Sequence, residues 1–210
     1  MKAIIFDLDG VICHTDEYHY LAWKTMADSL DIPFDRQVNN RLRGVSRMAS
    51  LEIILEQYSV ELSQAEKEEL AKQKNELYKE SLKNMSPADL SQEVKDTLDT
   101  LRQRGYKLAI GSSSKNAQFI LQQLGLGNFF DAISDGNNIT HSKPDPEVFV
   151  KAAQMLGIPA EDCLVVEDAV SGAFAGKAGG MKVACVGDAS VEKVGDYNLA
   201  SFAELMEIAQ

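Results

Sequence analysis

Two aspartates stand two residues apart at the end of an apolar run, Asp7 and Asp9 in KAIIFDLDGVI, and a second acidic pair, Glu167-Asp168, ends another run, CLVVED. Carboxylates this close repel each other unless they share a cation or a proton. If the first run stays extended, both of its aspartates project to the same side. Four carboxylates converging on one sheet edge make a hard-cation site of the kind that favours Mg²⁺. Either pair alone reads equally well as the polar end of a strand entering a loop, but the recurrence of the pattern favours the cation.

Further residues carry phosphate chemistry. IGSSSKN, residues 110–116, puts small hydroxyls between a strand end and a helix start, where Ser112 and backbone N–H groups can hold phosphate oxygens; a helix cap accounts for any one serine as well. In HSKPDP, residues 141–146, Lys143 beside a proline-stiffened turn can neutralise a phosphate or Asp7, although a lone loop lysine is usually solvated. Thr15, His19 and Trp23 fall at i, i+4 and i+8 of one helix face, where Trp23 also fits a core stripe. RGVSR, Arg43 to Arg47, offers two guanidiniums on a glycine turn, suited to bidentate phosphate recognition. In ELAKQKNELYKE most charges read as a solvated helix face.

These residues need elements to position them. Apolar runs at 3–8, 107–111, 132–134 and 163–167, with a weaker one at 182–186, lack alternation and read as buried parallel strands. Helical segments at 92–104, 116–124, 147–156 and 169–178 fall between them, which predicts a doubly wound, Rossmann-like α/β sheet. Between the first strand and Ser86-Pro87 the pattern is helical only, at 16–30, 46–57 and 63–82, with a capping box at Ser63 and Glu66. The expected division is an α/β core domain of residues 1–14 and 86–210 and an all-helical cap domain of residues 15–85. The cap leaves the sheet after the first strand and returns before the second, so it should stand over the carboxyl ends of the strands, where open α/β sheets bind ligands.

Composition narrows the partners. With 21 basic against 32 acidic residues the net charge is −11, which argues against nucleic acid and against an anionic membrane surface. Cys13, Cys163 and Cys185 have no CxxC spacing, so neither a disulfide framework nor a zinc site is indicated. The apolar stretch before Asp7 is too short for a signal segment and no later run has membrane length. A cytoplasmic monomer is expected.

DxDGV after the first strand, a serine at the second, a lysine after the third and an acidic pair at the fourth, in that order, resemble the haloacid dehalogenase superfamily of phosphotransferases. FDLDGVI, the Thr15–His19 pair, AWK at 22–24, RGVSR, SPAD at 86–89, SSSKN, SKPDPEVF and VVED further resemble its β-phosphoglucomutase family, nearly end to end. That resemblance implies a reaction, the interconversion of β-D-glucose 1-phosphate and glucose 6-phosphate through β-D-glucose 1,6-bisphosphate, with a Mg²⁺-dependent phosphosugar phosphatase as the alternative. It implies Asp7 as the nucleophile, Asp9 as general acid and base, and Mg²⁺ held by Asp7, the Asp9 carbonyl and Asp168, supported by Glu167. Ser112 and Lys143 would offset charge on the transferring group. Gly44, Val45 and Arg47 would grip the other phosphate, with Ser114, Lys115 and Asn116 lining the core side. Ser50, Lys74 and Asn75 would touch sugar, beside Trp23, while Thr15 and His19 couple cap closure to Asp9. Arg43 stands where the family pattern has lysine, and Cys13-His14 where it has Thr-Asp. A non-catalytic phosphosugar-binding protein of the same fold would lack Asp7 or Asp9, and both are present.

Overall fold

In a computed structural model of the chain, which describes residues 1–42 and 45–209, the first apolar run becomes β1 (Ala3–Phe6), buried at every residue. It lacks alternation because both of its faces are covered. Ile4 and Phe6 pack with Leu108, Ile110, Leu164 and Val166 on one side of the sheet, whereas Ala3 and Ile5 pack with Ala109, Val165 and Val183 on the other. The remaining strands are β2 (Lys107–Gly111), β3 (Ala132–Ser134), β4 (Cys163–Glu167), β5 (Lys182–Cys185) and β6 (Tyr197–Asn198). They form one sheet in the order β3-β2-β1-β4-β5-β6, parallel throughout.

Helices clothe both faces, as a doubly wound sheet requires. The helices at Gln92–Gln103 and Ala117–Gln123 supply Val94, Leu98, Ile120 and Leu121 to the first face, and those at Glu147–Leu156 and Val170–Ala178 supply Val148, Phe149, Ala152 and Ala173 to the second.

Between β1 and the helix at Gln92–Gln103 run four further α-helices, α1 (Asp16–Asp28), α2 (Arg36–Asn40), α3 (Arg47–Leu55) and α4 (Gln64–Leu82), with no strand among the described residues. They close an apolar cluster of their own around Trp23, Met26, Phe34, Leu51, Ile54 and Ala71. The α4 capping box forms as the sequence predicts, with Ser63 Oγ accepting from Glu66 N–H and the Glu66 carboxylate from Ser63 N–H. Where α4 ends, Gln123 Nε2 donates to the carbonyls of Leu82, Lys83 and Met85, tying the returning chain to the sheet layer.

Several features depart from the sequence reading, among them unread short helices at Gly187–Val191 and Leu205–Ile208. β1 stops at Phe6 instead of residue 8, because the Leu8 carbonyl accepts from the N–H groups of Val11, Ile12 and Cys13 and the chain turns there, with Gly10 at φ 89°. The edge strand β6 and the helix α2 went unread, since two and five residues are too short to show a period.

Candidate active site

β1 and β4 are neighbours at the point where the order of the sheet reverses, with β2 on the far side of β1 and β5 on the far side of β4. The crevice beyond such a reversal is the natural ligand site of an open α/β sheet. Both acidic pairs emerge there. Oxygens of Asp7, Glu167 and Asp168, all three residues buried, lie within 4.8 Å of one another. Lys143 enters from the loop after β3 and places Nζ 2.5 Å from both Asp7 Oδ1 and Glu167 Oε1.

Glycine makes room for this arrangement in two places. A Cβ on Gly10 would stand 2.2 Å from Asp168 Oδ2, and one on Gly172, in the first turn of the helix after β4, would stand 1.9 Å from Glu167 Oε1. Glu167 is the most committed of the carboxylates. Its Oε2 accepts from the N–H groups of Asp168 and Ala169, at 2.9 Å each, while Oε1 holds Lys143.

The charges are unbalanced. Burial pushes the Asp7 carboxyl well above the usual carboxylate range, Lys143 opposes that, and Glu167, Asp9 and Asp168 add to it. Lys143 is held above its ordinary value, since Asp7 and Glu167 outweigh its own burial. An oxygen-only donor set with surplus negative charge fits a hard divalent cation, which would return Asp7 to its ionised form.

Asp9 corrects the expectation of four convergent carboxylates. The turn at Gly10 ends the extended geometry, so the Asp9 side chain leaves the cluster and accepts a hydrogen bond from Thr15 Oγ1. Thr15 is fully buried, and it is the one predicted site residue among those described that does not line the cavity. Burial raises the Asp9 carboxyl, the Thr15 hydrogen bond opposing it.

The sheet side of the cavity is built by the loops after β2 and β3. Ser112, buried, accepts at Oγ from Ser114 N–H, and Ser114 Oγ accepts in turn from Asn116 N–H, so the serines pin their own loop while lining the cavity. Lys115, beside them, is exposed. The loop carrying Lys143 is fixed by Glu147, whose Oε2 accepts from Thr140 and His141 N–H. Phe149 packs where a Cβ on Gly111 would stand, 2.6 Å from its ring, and carries Lys143 Nζ 4.7 Å from its centroid.

The helical side closes the cavity from above. Lys74, on α4, sits 2.9 Å from His19 Nδ1 and 4.6 Å from the centroid of each of the Trp23 and Tyr78 rings. It is therefore no part of a solvated face. Burial, then the Arg47 charge, pushes its ammonium down to about 7, against the pull of Asp9. His19 is held well below its ordinary value by burial and by the Lys74 and Arg47 charges, so the neutral ring accepts at Nδ1. Trp23 serves both readings, buried in the helical cluster and lining the cavity. Arg47 opens α3, with Val45 just before it and the buried Ser50 one turn on; burial lowers the Arg47 value. Gly44 and Arg43 lie outside the described residues. Asn75 meets the sheet side directly, accepting at Oδ1 from Asn116 Nδ2 at 2.9 Å.

One cavity of about 1250 Å³ joins these groups. Sequence reasoning missed Tyr78, which stacks on His19 at 4.0 Å, although its place one turn after Lys74 on α4 was a usable signal. It also missed Gly172, whose role is visible only once β4 and its helix are in contact.

Comparison with known proteins agrees with this geometry. A haloacid dehalogenase-like hydrolase family model matches residues 1–180. The chain is 45% identical to a β-phosphoglucomutase of Bacillus subtilis over 189 residues, 89% of this chain and 84% of that one. It is 32% identical to an Escherichia coli fructose-1-phosphate phosphatase, over 85% and 93% of the two chains. The crystal structure of a β-phosphoglucomutase from Clostridium difficile superposes with a TM-score of 0.92 at 33% identity, covering 100% of this chain and 96% of that one. With the acidic cluster, its lysine and the serine loop all in place at the sheet's reversal point, the chain belongs to the haloacid dehalogenase-like hydrolase family.

Proposed function

We propose that the protein is a β-phosphoglucomutase, interconverting β-D-glucose 1-phosphate and glucose 6-phosphate through an aspartyl phosphate on Asp7 and β-D-glucose 1,6-bisphosphate. The observation that carries this reading is the link between the acid–base group and the helical side. Asp9 is held by Thr15 at the entry to α1, on the same helix as His19, and His19 is held by Lys74 of α4. A catalyst whose acid–base group is set by the helical layer can be ready when sugar brings that layer down and unready when water alone is present.

The layers form two domains, a core of residues 1–14 and 86–210 and a cap of residues 15–85. Asp7 attacks the phosphorus, and Asp9 gives a proton to the departing sugar oxygen and later takes one from the incoming hydroxyl. Mg²⁺ would be held by Asp7, Asp168 and the Asp9 carbonyl, where it supplies charge to the transferring oxygens. Glu167, with both oxygens already engaged, supports that site and orients Lys143. Ser112 and Lys143 face the transferring phosphate. Arg47, Val45 and Gly44 take the second phosphate together with Ser114, Lys115 and Asn116, and Ser50, Lys74, Asn75 and Trp23 contact the ring. The bisphosphate rotates and binds by either end, which is why positive charge stands on both layers. The three free thiols suit a reducing compartment such as the cytoplasm, and the acidic chain suits a monomer.

Incubating the protein with Mg²⁺, β-glucose 1-phosphate and a trace of the bisphosphate should yield glucose 6-phosphate with little inorganic phosphate. Stoichiometric free phosphate without glucose 6-phosphate would replace this reading with a phosphosugar phosphatase.

A further inference from the structure

The cavity holds two buried lysines in opposite surroundings. Lys143 stands between two carboxylates, each 2.5 Å from its Nζ, and keeps its proton. Lys74 is as deeply buried, at 2% exposure, yet the one hydrogen-bond partner of its Nζ among the described residues is His19 Nδ1, at 2.9 Å. No carboxylate among those residues pairs with it. The Trp23 and Tyr78 rings, each with its centroid 4.6 Å from Nζ, hold the amine by their faces, and the Arg47 cation lines the same cavity. Burial without an anionic partner, next to another cation, is the setting in which a lysine sheds its proton and becomes a nucleophile. The Lys74 ammonium is accordingly held below its ordinary value, although Asp9 opposes this. A ligand in the cavity therefore meets an amine, a proton acceptor in His19 and an anion anchor in Arg47 together.

We propose that Lys74 is a covalent modification site, whose amine condenses to an imine with the open-chain aldehyde of a small aldose phosphate anchored at Arg47. The Nζ lone pair attacks the aldehyde carbon. The two N–H protons pass in turn through His19 Nδ1 to the aldehyde oxygen, which departs as water and leaves a C=N bond, with nothing oxidised or reduced. Aldoses esterified away from C1 belong to the class, glucose 6-phosphate among them, whereas β-glucose 1-phosphate has C1 blocked and does not. The inference rests on the reading of the cavity as a phosphosugar site, which mutase and phosphatase share, and not on the choice between them.

Glyceraldehyde 3-phosphate, which has no pyranose ring to open, is the probe. Incubated with the intact protein and sodium cyanoborohydride, which reduces an imine to a secondary amine, it should leave a single adduct that peptide mapping by mass spectrometry places on Lys74, despite the burial of that residue. Glyceraldehyde without the phosphate should label Lys74 at least about tenfold more slowly, as loss of one charge-assisted anchor does. Saturating inorganic phosphate should protect the site. Lys74→Arg, which keeps a cation and cannot form the imine, should lose the adduct; the map of the parent protein decides by itself should that variant not fold. Adducts confined to exposed lysines overturn the inference, as does equal labelling of Lys74 with and without the phosphate group or a lack of protection. The map needs no turnover. A parent protein that makes only inorganic phosphate removes the mutase reading and leaves an adduct on Lys74 standing, and a working mutase without that adduct does the reverse.

Discussion

Lys74 carries a charge that is conditional. Buried beside Arg47, it stands at about 7 in the free protein, so near neutrality it is half protonated and at pH 8 mostly neutral. A phosphosugar dianion favours the ammonium and raises that value, so binding at pH 8 should take up a proton, up to about one per site. Calorimetric binding enthalpies in two buffers of different ionisation heat measure it, and Lys74→Gln should abolish the uptake. The two aspartates separate by role in the same residue-level way. Asp7→Asn should lower turnover by about 10⁴-fold or more, having no oxygen nucleophile. Asp9→Asn should lose roughly 10²–10⁴-fold yet still load Asp7 slowly, which mass spectrometry of the intact protein can register as a phosphate adduct. Equal, complete absence of the adduct in both would contradict the assignment.

At the scale of elements, the helix after β4 meets its strand so closely that Gly172 is the only residue type that leaves the Glu167 carboxylate where it is. Alanine in a helix interior ordinarily gains about 1 kcal/mol over glycine. Here Gly172→Ala should instead displace Glu167 and weaken Mg²⁺ activation roughly tenfold, as loss of an outer partner of a metal site does; a Mg²⁺ titration of initial rates checks it. This also marks the limit of what the sequence discloses. β2, β3 and β4 were legible to the residue because buried parallel strands are unbroken apolar runs. The acidic pairs were legible because the same pattern recurs at the ends of two apolar runs, and Lys143 because a lysine after the third strand belongs to the family's order of motifs. Asp9 was misjudged because its direction depends on a turn at Gly10 that period-two reasoning does not contain, and Lys74 was singled out only by the family resemblance, because charge alone does not tell which helix face is covered.

For the whole molecule, the helical layer meets the sheet layer through apolar packing at Ala22, Tyr78 and Leu82 and through a few polar contacts: Thr15 with Asp9, Asn116 with Asn75, and Gln123 with the carbonyls at the end of α4. If these transmit the position of the helical layer to Asp9, His19→Ala should raise phosphate release relative to isomerisation, and the ratio of the two products over time is the measurement. An unaltered ratio would remove His19 from that chain of contacts. The placement of the cysteines has a practical corollary. All three lie under the surface, at 2% exposure or less, and burial lifts the thiols of Cys163 and Cys185 to about 11 and that of Cys13 higher still. Thiolate-seeking dyes should therefore pass the native protein by. A single engineered cysteine at the exposed position of Leu77 could carry a fluorophore without stripping out the natural ones, making the motion of the helical layer directly visible.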